Sequence, residues 1–264
     1  MDLVFTDLDG TLLDPEDYSW KAAAAALKRL EERGVPVIIV TSKTRAEVEP
    51  LRSELGNREP FIVENGGALF IPKGYFHRSV PNAKPRNGYE VLEFGSPYGE
   101  LVRALEAASL RAGVPVKGLS SMKVEEIVAA TQLSREGAMR AAQREYDEPF
   151  QILDPSRAGE LIRALEDMGY HWTQGSRFYH VCGNNDKGRS VRELKALFQR
   201  EGHALRCVGL GDSYNDLPFL REMDIAGIVN SRHSAELMAA LPNAIGSALA
   251  GAAGWNEIIL KVIP

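Results

Sequence analysis

Two aspartates separated by a single residue follow a short apolar run near the start of the chain. The stretch VFTDLDGTLLD places Asp7 and Asp9 directly after residues 3–6 and just before Gly10. A turn alone could explain this pattern, because Asp and Gly are common turn residues. Carboxylates at the tip of a strand can also serve as nucleophiles, general acids or bases, and metal ligands. Other residues of the chain must decide between these two interpretations.

A second acidic group lies in the last third of the chain, where Asp212 and Asp216 follow a predicted buried strand at residues 205–210. Four carboxylates brought to one place would repel each other unless a cation neutralises them. Carboxylate oxygens together with water suit Mg²⁺, and a divalent cation beside carboxylates suits phosphoryl chemistry. The sequence therefore predicts a Mg²⁺ site formed by four aspartates: Asp7, Asp9, Asp212 and Asp216.

Residues that could hold a phosphate group follow the other predicted strands. Thr41 and Ser42 offer hydroxyls after residues 35–40, and the strand register favours Thr41 but leaves the choice open. Lys187 offers a positive charge at a predicted helix start, where backbone N–H groups also favour an anion. Gly10 would let backbone N–H groups approach a ligand closely. We therefore predict that these four residues bind the phosphate.

These residues need a fold that brings strand ends together. Apolar runs at residues 3–6, 35–40 and 61–63 alternate with helical segments at residues 22–33 and 44–55. This alternation is typical of a parallel sheet covered by helices on both faces. In such sheets ligands bind beyond the carboxyl ends of the strands, which is where the polar residues lie.

The alternation is interrupted in the middle of the chain. A Pro-, Asn- and Gly-rich stretch at residues 81–88 precedes mixed helices and strands, and the alternation resumes after residues 183–185. We predict an α/β protein with a doubly wound, Rossmann-like parallel-sheet core at residues 1–85 and 185–264. Residues 86–184 are predicted to form an inserted α+β domain.

The composition limits the partners that the protein could have. The chain of 264 residues is 44% hydrophobic and 25% charged, and its net charge of -5 gives no reason to expect a nucleic-acid partner. Cys182 and Cys207 lie in apolar stretches, as expected for buried reduced thiols rather than a disulfide framework. Because no leader and no long apolar run is visible, we expect a cytoplasmic protein without a membrane partner. The sequence leaves the oligomeric state open.

The motifs together resemble those of the haloacid dehalogenase-like phosphatases. Four pieces match in order: DLDGT at residues 7–11, Thr41 after its apolar strand, Lys187, and GDSYND at residues 211–216. The resemblance covers about residues 1–80 and the last 80 residues. It implies that Thr41 and Lys187 hold the phosphoryl oxygens.

The resemblance also implies a role for each aspartate. Asp7 would be the nucleophile that becomes an aspartyl phosphate, and Asp9 would donate and accept the protons. Mg²⁺ would bind to Asp7, to the backbone carbonyl of Asp9 and to Asp212, while Asp216 would orient Lys187 or an ion-bound water. An insert at this place in the family is a cap that covers the site and selects the substrate.

A closer resemblance, to the mannosyl-3-phosphoglycerate phosphatases, extends over nearly the whole chain. It rests on TSKTR at residues 41–45, FIVENGG at 61–67, REYDEPF at 144–150, and GSRFYH at 175–180 followed by DKG at 186–188. General sugar phosphatases usually carry Thr-Gly-Arg where this chain has Thr-Ser-Lys. The resemblance implies a small sugar-phosphate substrate, a hexose joined to a phosphoglycerate, and release of mannosylglycerate, a compatible solute.

The implied substrate carries a carboxylate beside its phosphate and hydroxyls on its sugar. Cationic side chains would bind the carboxylate, and carboxylates or amides would bind the hydroxyls. Each candidate could instead be a solvated or packed residue, and we expect His180 to be packed rather than catalytic. The predicted substrate-binding residues are Lys43, Arg45, Glu64, Asn65, Gly66, Gly67, Arg144, Glu148, Arg177, Ser213 and Asn215.

Other interpretations stay open at this point. The substrate could be another sugar phosphate, such as glucosyl-3-phosphoglycerate or sucrose phosphate. A nucleotide-binding module would explain Gly209 and Gly211 after a strand, but Tyr214 stands where the dinucleotide fingerprint has its third glycine. An inactive scaffold would not need the complete set of reactive residues.

Overall fold

A computed structural model describes residues 1–175 and 177–263. Residue 176, within the GSRFYH motif, and residue 264, at the end of the predicted core, lie outside the described residues. The strands are β1 (Asp2–Thr6), β2 (Val37–Val40), β3 (Phe61–Val63), β4 (Ala68–Pro72), β5 (Lys84–Arg86), β6 (Tyr89–Glu93), β7 (Val116–Gly118), β8 (Asp147–Ile152), β9 (His171–Gln174), β10 (Tyr179–Cys182), β11 (Arg206–Gly211), β12 (Ile225–Asn230) and β13 (Ile245–Ala250). The helices are α1 (Ala24–Glu32), α2 (Arg45–Glu54), α3 (Tyr98–Ala112), α4 (Val124–Thr131), α5 (Arg135–Ala141), α6 (Ala158–Asp167), α7 (Lys187–Arg200), α8 (Leu217–Leu220), α9 (Ser234–Ala240) and α10 (Gly251–Val262). None of these helices has the length and apolar character needed to cross a membrane.

The larger sheet carries the strand ends that the sequence analysis singled out. Its described strands run in the order β13-β12-β11-β1-β2-β3-β4-β6-β5. The strands from β13 to β3 are parallel, and the last three are added antiparallel. Strand β1 lies in the middle, with Phe5 opposite Gly209 of β11 and Ile38 of β2. This confirms the predicted α/β core and places the ends of β1, β2 and β11 side by side.

Alternate residues of the central strands pack on opposite faces of this sheet. Val4 and Ile39 join a core cluster with α1 and α10, whereas Phe5 and Ile38 join a second cluster with α7. Because helices cover both faces of the sheet, the sequences of the central strands are continuous apolar runs and do not alternate between apolar and polar residues.

The inserted domain contains a second, antiparallel sheet in the order β7-β8-β10-β9. Helices α3 and α6 pack on it through Leu101 and Leu161, which share a buried cluster with Phe150. This agrees with the predicted α+β insert.

The predicted end of the first core segment at residue 85 needs correction. Strand β6 was assigned to the insert, but it pairs with β4 in the larger sheet, where Tyr89 lies opposite Pro72. Asn87 and Gly88, with φ of 48° and 85°, form the two-residue turn of a hairpin between β5 and β6. Asn-Gly favours such turns, so its presence here marks a hairpin within the core and not an exit from it.

Trp255 on α10 offers a test of this packing. Its side chain is fully buried, and its Nε1 donates to Thr6 Oγ1 at 2.9 Å. We expect Trp255→Ala to lower the free energy of unfolding by about 3–5 kcal/mol, because it leaves a large cavity beside β1. Urea denaturation followed by circular dichroism would measure this. Leu110→Ala, which truncates an 84% exposed side chain on α3, should change the free energy by less than about 0.5 kcal/mol; similar effects for both variants would contradict the packing.

Candidate active site

The ends of β1, β2 and β11 meet beneath the inserted domain. Asp7 follows β1 directly, and its N–H donates to the carbonyl oxygen of Leu210 in β11 at 3.0 Å. Asp212 follows β11, and Thr41 follows β2. Adjacent parallel strands thus bring together three of the polar groups that are far apart in the sequence.

The ammonium group of Lys187 lies between two carboxylates. Its Nζ is 2.7 Å from Asp7 Oδ1 and 2.7 Å from Asp216 Oδ1. Burial by itself would lower the pKa of Lys187, but the two carboxylates outweigh this effect and raise it. Lys187 is therefore a permanent positive charge, and it occupies the first position of α7, where the N-terminal N–H groups also favour an anion.

Asp7, Asp212 and Asp216 form a buried acidic group in which one carboxylate oxygen from each residue lies within 4.8 Å of the other two. Asp216 Oδ2 accepts hydrogen bonds from the N–H groups of Asp212 and Ser213, each at 3.0 Å. Thr11 Oγ1 donates to Asp212 Oδ1 at 3.1 Å. These contacts fix two of the three carboxylates in place.

The electrostatics of this acidic group fit a divalent cation. Burial raises the pKa of Asp7 to about 7 although Lys187 acts in the opposite direction. Burial, and then the charges of Asp216 and Asp7, raise the pKa of Asp212 well above its usual value. One ammonium cannot balance three buried carboxylates, and an all-oxygen set of this kind suits Mg²⁺.

Asp9 is not part of this acidic group as found among the described residues, and it pairs with a lysine. Its Oδ1 lies 2.9 Å from Nζ of Lys43, which also lies 3.4 Å from Glu47 Oε1. Burial alone would lower the pKa of Lys43, but the charges of Asp9 and Glu47 raise it. The predicted metal contact of Asp9 concerns its backbone carbonyl, and that contact stays a prediction.

The other predicted phosphate-binding residues lie around the same strand ends. Gly10 has a φ of 77°, and a Cβ there would lie 2.7 Å from Asp212 Oδ2, so only glycine fits beside this carboxylate. Thr41 Oγ1 accepts from the Lys43 N–H at 3.1 Å, which leaves its own proton for another acceptor. The choice between Thr41 and Ser42 as the phosphate-binding hydroxyl stays open.

A cavity of about 90 Å³ separates the strand ends from the inserted domain. Asp7 and Asp9 line it. The predicted phosphate- and substrate-binding residues that line it are Ser42, Lys43, Arg144, Arg177, Ser213 and Asn215. In the described part of the chain, Arg45, Glu64, Asn65, Gly66, Gly67 and Glu148 are not among its lining residues.

Glu64 and Asn65 join the two domains. The carboxylate of Glu64 accepts from the backbone N–H groups of Glu145, Tyr146 and Asp147 at 2.7–3.1 Å. The amide of Asn65 donates to Asp147 Oδ2 at 2.8 Å. Contacts of these two side chains with a sugar stay a prediction that this geometry does not favour.

The two glycines after Asn65 serve close packing. Gly66 has a φ of 82°, and a Cβ there would lie 2.1 Å from the carbonyl oxygen of Asp186, just before α7. A Cβ on Gly67 would lie 2.3 Å from Cβ of Tyr146 in the insert. This turn is thus pressed against both the helix that carries Lys187 and the inserted domain.

Arg45 and Glu148 have protein partners outside the cavity. Arg45 pairs with Glu49 at 2.9 Å and lies 3.6 Å from Glu145. Glu148 Oε1 accepts from the N–H and the hydroxyl of Ser120, at 3.0 and 2.7 Å. Substrate contacts for both residues remain predictions.

Tyr18 lines the cavity and was missed in the sequence analysis. Its hydroxyl donates to the carbonyl oxygen of Thr131 in the insert at 2.7 Å. Lys43 Nζ lies 5.0 Å and the Arg177 guanidinium 5.7 Å from the centre of its ring. No local signal identifies Tyr18, because its role depends on where the insert folds back over the core.

Comparisons with known proteins agree with this geometry. Residues 4–84 match the family model of haloacid dehalogenase-like hydrolases. A glucosyl-3-phosphoglycerate/mannosyl-3-phosphoglycerate phosphatase of Persephonella marina is 42% identical over 99% of this chain and 97% of its own. A mannosyl-3-phosphoglycerate phosphatase of Pyrococcus furiosus is 38% identical over 88% of this chain and 92% of its own. The solved structure of a haloacid dehalogenase subclass IIB sugar phosphatase has a similar fold, with a TM-score of 0.68 at 18% identity over 99% of this chain and 98% of that one.

The acidic group can be tested without measuring activity. Mg²⁺ should raise the melting temperature by several degrees, because a cation that binds only the folded protein stabilises it. In EDTA, Asp212→Asn should have a higher melting temperature than the wild type, since it removes one of three mutually repelling carboxylates. The same variant should lose most of the increase in melting temperature that Mg²⁺ causes. A thermal-shift titration measures both effects. Asp167→Asn, which removes a carboxylate that is 58% exposed, is the control and should show the same melting-temperature increase with Mg²⁺ as the wild type. A wild-type melting temperature that does not change with Mg²⁺ would contradict the metal site.

Proposed function

The chain belongs to the haloacid dehalogenase-like phosphatases, and we propose that it hydrolyses mannosyl-3-phosphoglycerate to mannosylglycerate and phosphate, with the glucosyl analogue as a second substrate. The observation that carries this proposal is the Lys187 ammonium held between Asp7 and Asp216 at strand ends that face a cavity. The Persephonella marina relative, whose name covers both substrates, supports including the glucosyl compound.

In the first step, a carboxylate oxygen of Asp7 attacks phosphorus and forms an aspartyl phosphate. The bond between phosphorus and the glycerate oxygen breaks, and Asp9 gives its proton to that oxygen. The position of Asp9 supports this role, since it follows Asp7 by two residues and lines the same cavity.

In the second step, a water molecule attacks the aspartyl phosphate. Asp9, now a carboxylate, takes a proton from this water, and the bond between phosphorus and the Asp7 oxygen breaks. Phosphate leaves and Asp7 returns to its initial state. The same residue thus serves first as acid and then as base.

The negative charge of the phosphoryl group is balanced by groups around Asp7. Lys187 and the hydroxyl of Thr41 or Ser42 hold its oxygens, and Asp216 orients Lys187. Asp7, the Asp9 carbonyl and Asp212 would hold Mg²⁺. When bound, this ion supplies positive charge to the phosphoryl oxygens and the aspartates.

The remainder of the substrate would occupy the cavity between core and insert. Lys43 and Arg177 line it and are suited to the glycerate carboxylate. At about 90 Å³, the cavity is much smaller than the ~300 Å³ at which ligand pockets usually begin. We therefore propose that the insert is a cap that moves away from the core to admit the substrate.

The cellular location is a separate part of the proposal. Cys182 and Cys207 are both free and buried, which supports a reducing compartment, and we propose the cytoplasm.

Asp7→Asn tests the nucleophile. We expect the variant to lose at least about a thousandfold in kcat, because an amide oxygen cannot form the phosphoenzyme. Phosphate release with Mg²⁺ and mannosyl-3-phosphoglycerate would measure the loss. Asp167→Asn, the same change at an exposed position of the insert, is the matched control. Turnover of Asp7→Asn at the wild-type rate would exclude this nucleophile.

The substrate proposal needs its own experiment. We expect kcat/KM for mannosyl- and glucosyl-3-phosphoglycerate to exceed those for sucrose phosphate and free 3-phosphoglycerate by about 100-fold, since only the first two carry both a hexose and a glycerate carboxylate. Steady-state phosphate release on the four compounds would give these values. Equal, slow turnover of all four would leave the phosphatase chemistry standing and contradict the substrate.

A further inference from the structure

We propose that His180 is a specificity-determining residue whose Nε2 accepts a hydrogen bond from a hydroxyl of the substrate's sugar ring, and that Asp147 positions it. This inference rests on the proposed function. His180 lies on β10 of the insert and lines the cavity that also contains Asp7 and Asp9. The sequence analysis expected a packed side chain; it is buried, but its ring forms part of the cavity wall.

The contacts of Asp147 determine which ring nitrogen carries the proton. Asp147 is fully buried, and its Oδ2 accepts from the Asn65 amide at 2.8 Å. Its Oδ1 accepts from the guanidinium of Arg144. A carboxylate that already holds these donors can only accept, so His180 Nδ1, 2.9 Å from Oδ2, must donate. The proton is then on Nδ1, and Nε2 keeps its free lone pair.

The ring stays neutral because it is buried beside cations. Burial lowers the pKa of His180 to about 3, and the charges of Arg144 and Lys187 act in the same direction. A neutral ring with its proton on Nδ1 offers nothing to a carboxylate or a phosphate. Its Nε2 can only accept a hydrogen bond, which among the groups of a hexosyl phosphoglycerate selects a sugar hydroxyl.

Nε2 is also accessible. It has no hydrogen-bond partner within residues 1–175 and 177–263, although the ring is almost enclosed. Gly175 also lines the cavity, and a Cβ at this position would lie 3.5 Å from Nε2. Glycine at this position leaves room for a ligand atom beside the nitrogen.

A polar network fixes His180 relative to the acidic group. Asn215, three residues after Asp212, donates to Asn65 Oδ1 at 2.9 Å, and Asn65 in turn donates to Asp147. The proposed sugar contact is thus connected by three hydrogen bonds to the loop that would hold the metal. A rigid connection of this kind lets the cavity read the position of one hydroxyl relative to the phosphate.

Two substitutions separate the roles of the two ring nitrogens. The amide of His180→Asn can replace Nδ1 and keep the bond to Asp147, but it removes the acceptor at Nε2. The amide of His180→Gln can reach the position of Nε2. We expect His180→Asn to lose about tenfold more kcat/KM on mannosyl-3-phosphoglycerate than on the sugar-free substrates 3-phosphoglycerate and p-nitrophenyl phosphate. His180→Gln should recover part of this difference, and His203→Asn, at an exposed position of the core, should show none.

The outcomes distinguish this inference from the proposed function. If the wild type prefers mannosyl-3-phosphoglycerate but His180→Asn loses the same factor in kcat/KM on sugar-containing and sugar-free substrates, only the role of His180 is overturned. If the wild type does not prefer the sugar-containing substrate, both the role of His180 and the proposed function are overturned. Nitrogen-15 spectra give a readout besides activity. The chain has five histidines, and the imidazole signals that disappear in His180→Asn identify those of His180. These signals should show the proton on Nδ1, and the chemical shift of Nε2 should change when mannosylglycerate is added. A proton on Nε2 would also overturn the inference.

Discussion

Three buried carboxylates share one ammonium group at the centre of this protein, and the structure around the cavity serves to hold these charges together. Lys187 can contact both Asp7 and Asp216 only if α7 begins at the ends of β1 and β11. That position brings Asp186 against Gly66, and the pairing of β1 with β11 brings the carboxylate of Asp212 against Gly10, so no side chain would fit at either glycine. The charge cluster thus depends on both the strand order and the glycines, and a divalent cation would complete its charge balance.

The same polar residues that surround this centre also attach the insert. The carboxylate of Glu64 accepts three successive N–H groups at the start of β8, and Asn65 bonds with Asp147 on one side and Asn215 on the other. Such buried networks are stable only when nearly all donors and acceptors are satisfied. These side chains thus form a continuous hydrogen-bonded connection between the insert and the loop after β11.

The sequence predicted the grouping of the aspartates better than the domain boundary, the edge strand and the contacts of the insert, for physical reasons. The carboxyl ends of the strands in a parallel sheet lie at one edge, so the acidic residues after β1 and β11 could be placed together from the order of strands and helices along the chain. The Asn-Gly at residues 87–88 was ambiguous, since the same dipeptide suits a hairpin and a domain exit. Strand β13, with its Gly, Ser and Ala, lacks an apolar signal because it is an exposed edge. Whether Glu64 faces a sugar or a backbone depends on how the insert docks, which no local pattern contains.

The placement of the insert in the chain links its cavity wall to the acidic group of the core. His180, at the cavity wall of the insert, and Lys187, at the acidic group of the core, are separated by only seven positions. Two segments connect the insert to the core, one between β6 and α3 and one between β10 and α7. They are packed tightly against each other at Gly183, where a Cβ would lie 2.4 Å from Ser96 Oγ. Asn185 is tied to the carbonyl of Asn65 at 3.1 Å. If the insert moves as the proposed cap, the backbone changes must therefore occur in these two short connections, and one of them ends directly at Lys187.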